Sequence, residues 1–549
     1  ADHRRFNEWC LAEFVKWIRS EIRKIQPDAT ISLSGTQVPG PYNGHDVWLR
    51  CQVFDNLWAY GAGNQIIMHH SFNPSLKQLP WGGYSSSGAS LKHKLWENVF
   101  EGGYGNCFWW FPINLNPDFT TNLGSESWKQ ATKDLLKGIG KTIFNSHLDD
   151  KTVAIHYSQS SIHAAFALDA GSSLEADRDA WVEILKRNQI APSFISYAQI
   201  ENGLLKYPDI KVLILPYSIA ITAKEAEEIK KFVSGGGTVI ADMQTGIMDE
   251  HCRMRKGGIL DDVFGIKRTN FDIAPILESG KWNNVKNWNF TGDMPVQLQE
   301  PGISITTGRP LYKVEETPGV ILNSYGKGRA WYLNFNLSKF ETLRKKSQHR
   351  VLCDFVREIL SQIGIKNNIY LVDEKGNIQD ECQVFVYRQG SAFFIGLLPD
   401  ISFQDGSASK KVRMIIPEGY QVFDMRNTKP VNLEQIVLEP GIAQFYSLLP
   451  YRVENIEIKA QSEIKAGENM MMSFSINASK GVPENHVLRV EVYDPSDREI
   501  SWYSSNLVST KGRAEHSINL PLNAEKGKWK IIAKDLPSGL TKTKEFEVK

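Results

Sequence analysis

Cysteine is sparse and scattered. The six residues, Cys10, Cys51, Cys107, Cys252, Cys353 and Cys382, form no CxxC pair and no Cys/His ligand spacing. That pattern excludes a dense disulfide framework and argues against a zinc site or redox pair; buried thiols are expected. Neither sign of charge dominates, since 63 basic residues face 62 acidic ones. So even a balance makes no field to gather nucleic acid or an anionic membrane, and neither is expected as a partner. No run approaches the roughly 18 apolar residues of a membrane span. Low-complexity stretches and short-period repeats are missing too. The chain opens at Ala1 with no charged leader and apolar core, so it is expected to be either mature or truncated.

What is present is length and tryptophan. At 549 residues the chain exceeds what one hydrophobic core supports, and about three or four domains are expected. Its 42% hydrophobic and 23% charged residues fit an ordinary water-soluble globular chain. The 15 Trp residues are concentrated in the first 130 positions.

The first domain is expected over 1–147. Phe6, Trp9, Cys10, Phe14, Trp17, Ile18, Ile22 and Ile25 recur at the three-to-four spacing of an amphipathic helix face, and Pro27 ends the helix. A buried strand over 29–34, a helix over 46–53 and a strand ending at Asp55 and Trp58 follow. The stretches 65–71 and 79–84 are candidates for the next strand, then come a helix near 91–100, a strand over 105–111 and a helix over 128–143. Alternating strands and helices imply a parallel sheet. Roughly four such units are half of a closed eight-stranded barrel. An open half-barrel exposes sheet edges and apolar interior, so the other half is expected upstream of residue 1 or from elsewhere.

Residues 148–365 read as a doubly wound α/β domain. Apolar strands at 151–157 and 212–216 precede a capping box, Thr222-x-x-Glu225, which opens a helix that Gly235-Gly-Gly237 stops. The glycines follow a helix instead of opening one, so they are a turn and not a phosphate loop. Short alternating strands over 366–450 predict a small antiparallel β domain, and 451–549 has the strand spacing of a β-sandwich. The fold class is thus multidomain α/β plus all-β: a partial (β/α)8 barrel, a flavodoxin-like α/β domain, a small β domain and a sandwich.

This order resembles the family 42 β-galactosidases. Val153-Ala-Ile-His-Tyr-Ser158, the run from Phe232 to Asp242 and the run from Gly258 to Ile266 are similar to their trimerisation domain. That domain in turn resembles class I glutamine amidotransferases, but the region matching their nucleophile, Leu215 to Ala220, holds no Cys. Amidotransferase chemistry is not expected. Gly467-Glu468, His486 to Pro495, Tyr503 to Asn506 and Gly527 to Ile531 resemble an immunoglobulin-like or macroglobulin-type sandwich. Such modules imply export to the periplasm or medium, with a cytoplasmic location as the alternative.

The resemblance implies hydrolysis of a β-linked glycoside by two carboxylates at the ends of barrel strands four and seven, the acid/base preceded by Asn. Asn7-Glu8 supplies that dipeptide, but Glu8 falls within the helical pattern with no strand before it and reads more strongly as a solvated helix face, with the acid/base expected upstream of Ala1. The strand-seven candidates hold no Asp or Glu, which leaves Asp55, at the expected end of strand six, as the other catalytic candidate. An Asp there can also simply cap a turn. Trp58, Tyr60, Trp81, Tyr84, Trp109 and Trp110 are candidates to stack on sugar faces at the barrel mouth, or to pack the barrel against its helices. Alternation lets only one of Trp109 and Trp110 point inward. Asn64, Asn73 and Asn114 are further polar candidates. His69-His70, read as strand residues, face opposite ways and cannot share a metal. No cofactor is implied. The expected partners are an oligosaccharide or glycoside substrate and further copies of the chain, as a trimer or dimer through 148–365. The alternative is a non-catalytic carbohydrate-binding or oligomerisation protein with a degenerate site.

Overall fold

The computed structural model describes residues 1–36, 38–42, 44–60, 64–82, 88–108, 115–206, 209–268, 271, 276–278, 294–314 and 316–549. The chain forms two compact units. One contains 1–81, 101–107 and 150–367, and the other contains 82–100, 108–149 and 368–549. The linear division expected at 147 therefore gives way. The helix Gly88–Phe100 and residues 123–149 group with the β-rich carboxy-terminal half.

The first unit opens with α1 (Asp2–Ile25), a helix buried through Glu8, Ala12 and Val15. This reverses the expected orientation. Phe6, Trp9, Phe14 and Trp17 lie on the exposed side at 52–58% exposure, stacked in two pairs. Periodicity identified the helix and could not say which side would find partners. Three parallel strands follow: β1 (Ser32–Thr36), β2 (Asn56–Ala59) and β3 (Lys77–Gln78), in the order β1-β2-β3. Helix α2 (Val47–Val53) links the first two, and α3 (Gln65–Phe72) the second pair. The stretch 65–71 is thus helix, not strand: Gln65 to Met68 is a short apolar run, which helix and strand share. His69 and His70 accordingly sit on a helix. His69 is buried against Gln78 Oε1 at 3.0 Å, and burial pushes its imidazole down to about 3.

The α/β part is built on one seven-stranded sheet. Its elements are β4 (Val153–Tyr157), α4 (Gln159–Ala167), α5 (Gly171–Arg187), β5 (Ser193–Ser196), β6 (Val212–Leu215), α6 (Ala223–Ser234), β7 (Thr238–Ala241), β8 (Arg309–Val314), β9 (Thr317–Tyr325), β10 (Gly328–Leu333) and α7 (Arg350–Ile363). The order is β8-β9-β10-β7-β6-β4-β5, parallel from β10 to β5, with β8 and β9 antiparallel at one edge. Strands β4 to β7 are buried along their whole length, as a parallel sheet covered on both faces requires. The expected capping box is present: Thr222 Oγ1 accepts from Glu225 N, and Glu225 Oε2 accepts from Thr222 N. Gly328 begins β10 where a Cβ would lie 2.1 Å from the Val233 carbonyl oxygen and 2.2 Å from that of Gly237. Both obstacles are backbone. Gly328→Ala is therefore expected to lower the urea midpoint of this unit, at a cost of about 2 kcal/mol; an unchanged midpoint would show that the turn can open freely.

The second unit is all-β apart from its helical segments within 88–144. A six-stranded sheet carries Cys382–Gln389 and Ala392–Pro399 at its centre, with His147–Leu148 at its edge. Residues 453–549 form a three-stranded and a five-stranded sheet. Alternate residues of Asn469–Ala478 (Met470, Met472, Phe474, Ile476) share a core with Val490, Val492, Ile531 and Phe546. The period-two pattern of a half-buried strand is followed there to the residue.

Candidate active site

In barrels of parallel strands, chemistry sits at the carboxyl ends of the strands, and residues at the amino ends serve stability. Asp55 precedes β2 and so stands at the wrong end. Its carboxylate is paired with Arg19 and Arg23, the latter at 2.9 and 3.0 Å, and accepts from Ile31 N at 2.9 Å. It ties the carboxy-terminal half of α1 to the start of the sheet. The expectation of a strand-end nucleophile rested on placing the strand a few residues too early.

Glu8 is neither solvated nor on a strand. Its carboxylate is buried, 2.5 Å from Gln159 Nε2 and 3.0 Å from His163 Nε2 on α4. The network continues from Gln159 Oε1 to the Tyr157 hydroxyl at 2.6 Å, and that oxygen accepts from Val47 N at 3.0 Å. Among the described residues, the partners of this buried carboxylate are Gln159 and His163, both on α4.

The aromatic candidates fare differently. Trp58 on β2 and Trp81 beyond β3 meet edge to face, with centroids 5.6 Å apart. Tyr60 follows the carboxyl end of β2 and lies over Gly35 of β1, where a Cβ would come 3.1 Å from its hydroxyl oxygen. These three therefore gather at the carboxyl ends of β1 to β3. The Trp58 indole N–H is buried with no acceptor among the described residues, so a donor is left for a ligand hydroxyl. Tyr84, Trp109, Trp110 and Asn114 lie outside the described residues. Asn73 is held by structure: it closes a turn with Ser75 and donates to the Cys51 carbonyl.

Sequence reasoning missed Asp46. It caps α2 in the connection after β1, on the barrel's chemical side, and accepts from the Tyr197 hydroxyl at 2.7 Å and Leu49 N at 3.2 Å. Burial pushes its carboxyl up to about 6, with the hydrogen bond from Tyr197 opposing. The signal was an Asp immediately before an apolar helical run, which is the mark of an N-cap. No Asp or Glu stands in the stretches immediately after β2 or β3. A carboxylate pair for glycoside cleavage is not assembled by the described residues of these three strands. What they assemble is an aromatic platform.

Residues 151–366 match the model of the β-galactosidase trimerisation domain. Over 155 residues the chain is 31% identical to β-galactosidase BgaB of Geobacillus sp. strain Y412MC61, covering 28% of this chain and 22% of that one. A second relative, β-galactosidase LacZ of Heyndrickxia coagulans, is 24% identical over 164 residues with the same coverage. This chain resembles the family 42 β-galactosidases. The match spans about a fifth of the length of these relatives. The likeness in fold extends further. The β-galactosidase of Bacillus circulans sp. alkalophilus superposes with a TM-score of 0.60 at 16% identity, over 82% of this chain and 68% of that one. The cold-adapted enzyme of Rahnella sp. R3 gives 0.61 at 16%, with the same shares. The chain thus shares a multidomain α/β plus β fold with those structures.

Proposed function

We propose that this chain is part of a glycoside hydrolase acting on β-linked glycosides, β-galactosidase-like in preference, whose barrel is completed by polypeptide upstream of residue 1. The observation that carries the reading is a three-stranded parallel sheet with an aromatic platform at its carboxyl ends, in one compact unit with a domain similar to the β-galactosidase trimerisation domain. The catalytic carboxylates come from the completing half and its junction with this one. Trp58, Tyr60 and Trp81 stack on the sugar. No cofactor takes part. We read the α/β domain as flavodoxin-like and as the surface for homo-oligomerisation, and the last domain as an immunoglobulin-like sandwich of an exported protein. No described helix is long and apolar enough to cross a membrane.

The test is hydrolysis of a panel of aryl β-glycosides by the chain alone and by the chain extended upstream through a complete barrel, each with Asp55→Asn. No turnover is expected from the chain alone and turnover from the extended protein, galactosides first. Asp55→Asn should lower the thermal midpoint while leaving kcat within about threefold, as expected for a residue outside the reacting centre. Binding without turnover by the extended protein would instead identify a carbohydrate-binding protein.

A further inference from the structure

A groove of about 610 Å³ opens at the amino ends of β6, β7 and β10 in the α/β part. Its charge is one-sided: Lys206, Lys211, Lys231, Lys327 and Arg329 line it against the single carboxylate of Glu228. In a chain of 63 basic and 62 acidic residues that is a local surplus of cations. Glu228 is already engaged, 2.9 Å from the Lys231 ammonium and 3.7 Å from that of Lys206. Lys211, Lys327 and Arg329 have no carboxylate partner among the described residues; Arg329 gives one nitrogen to the Gln362 carbonyl at 3.0 Å.

The strand register spaces these cations. Val212 of β6 pairs with Thr238 of β7, and Thr238 with Arg329 of β10. Lys211 and Lys327 each stand one residue before their strand, on either side of β7 and so two strand spacings, roughly 10 Å, apart. Between them Gly235-Gly-Gly237 leads into β7 and brings no side chain. A Cβ on Gly236 would meet nothing within 4 Å, so the gap between the flanking cations stays open. On Gly237 a Cβ would come 2.4 Å from the Phe232 ring, which lies against this bare backbone and lines the groove with Ile210 and Ile363. The backbone N–H groups here are taken: Gly235, Gly236 and Gly237 donate to the carbonyls of Lys231, Val233 and Phe232, and Arg329 to that of Gly237. An added peptide strand or a phosphate nest needs such donors. Separated side-chain cations around apolar surface instead suit a ring with anionic groups at both ends, its C–H face against Phe232.

We propose that this groove binds a sugar carrying two or more sulfate or phosphate esters, held between Lys211 on one side and Lys327 and Arg329 on the other. The choice of a sugar rests on the glycosidase reading; the charge and the position rest on the groove alone. Sulfate and phosphate esters present the same tetrahedral oxyanion to a lysine, and titration with each tells them apart. The groove is a binding site and breaks no bond.

Calorimetric titration of the full chain tests it, with a trisulfated heparin disaccharide, fructose 1,6-bisphosphate, lactose, ADP and inorganic sulfate as probes. At least one of the first two is expected to bind, the tighter of them naming the ester, and to weaken as ionic strength rises. The double variant Lys211→Ala/Lys327→Ala should lower that affinity about tenfold or more, as loss of charge-assisted hydrogen bonds does. Both side chains are exposed, so its thermal midpoint should match the parent. Lys224→Ala, an exposed cation of α6 outside the groove, should leave affinity unchanged. The proposal is overturned if neither ester binds, if lactose or inorganic sulfate binds as tightly, if ADP binds more tightly, or if the double variant keeps full affinity. Ester binding that depends on Lys211 and Lys327 in a protein without turnover, even after barrel completion, would leave the groove standing and remove only the hydrolase reading.

Discussion

Glu8→Ala is expected to destabilise the first unit by about 3–5 kcal/mol, the cost of removing a buried acceptor shared by two buried polar side chains. In a unit of this size that corresponds to a fall of about 8 °C in the thermal midpoint. The reason is the position of Glu8 on the buried face of α1, where Gln159 and His163 of α4 both reach its carboxylate. Alanine removes the carboxylate that both side chains reach, leaving Gln159 Nε2 with the Gly40 carbonyl, and it loosens the Tyr157 hydroxyl and the start of α2 behind them. Glu8→Gln keeps the shape and an acceptor oxygen, so it should cost only about 1–2 kcal/mol. Calorimetric unfolding of the two variants separates this role from catalysis. A catalytic acid would lose orders of magnitude in turnover as Gln with little change in midpoint. A midpoint for Glu8→Ala within about 1 °C of the parent would sink the structural assignment.

Asp177→Asn is expected to stabilise the same unit above neutral pH and to do little below pH 5. Asp177 on α5 and Asp242 beyond β7 are fully buried, and their carboxyls meet in a hydrogen bond that needs one proton between them. The remaining partners are backbone and indole donors: Leu337 N to Asp177 at 2.5 Å, Tyr217 N to Asp242 at 2.5 Å and Trp181 Nε1 to Asp242 at 3.2 Å. Burial raises both groups, Asp177 to about 6 and Asp242 well above the usual carboxylate range, where the facing charge adds to the effect. The unfolded chain titrates near 3.9. A folded value above the unfolded one means that stability is fully present below about pH 4 and is lost as pH rises through 6 and beyond. Asn keeps an acceptor for Leu337 N and donates to Asp242 without a proton to lose. At pH 8 the midpoint should rise by about 5 °C, and at pH 4.5 the two proteins should unfold together. Asp46, also raised to about 6 by burial, leaves part of the slope in place. Parallel curves from pH 4.5 to 8 would show that the pair does not share a proton.

The residues that misled are as informative as those that did not. In α1 the aromatic spacing was correct for a helix, yet the buried side is Glu8, Ala12 and Val15. A helical period specifies a face and says nothing about whether a neighbouring element covers it. Residues 65–71 were legible as apolar but not as helix, because a run that short fits either period. Asp55 was placed at the wrong end of β2 by a shift of a few residues, which is enough to exchange a catalytic end for a structural one.

By itself the sequence determined the parts that depend on local pattern: the alternation of the sandwich strands, the mostly apolar strands at 153–157 and 212–215 of the parallel sheet, the Thr222–Glu225 cap and the glycine stop after α6. These follow from periodicity and capping within a few residues of chain, where hydrogen bonding and side-chain direction are set locally. Only the tertiary structure decided what is paired across long separations. Glu8 meets His163, Asp55 meets Arg19 and Arg23, and Asp177 meets Asp242. Asn64 and Asp179 belong with them. Such contacts depend on how whole elements pack, and burial then sets whether a carboxylate is an anchor, a shared proton or a ligand for something outside the chain.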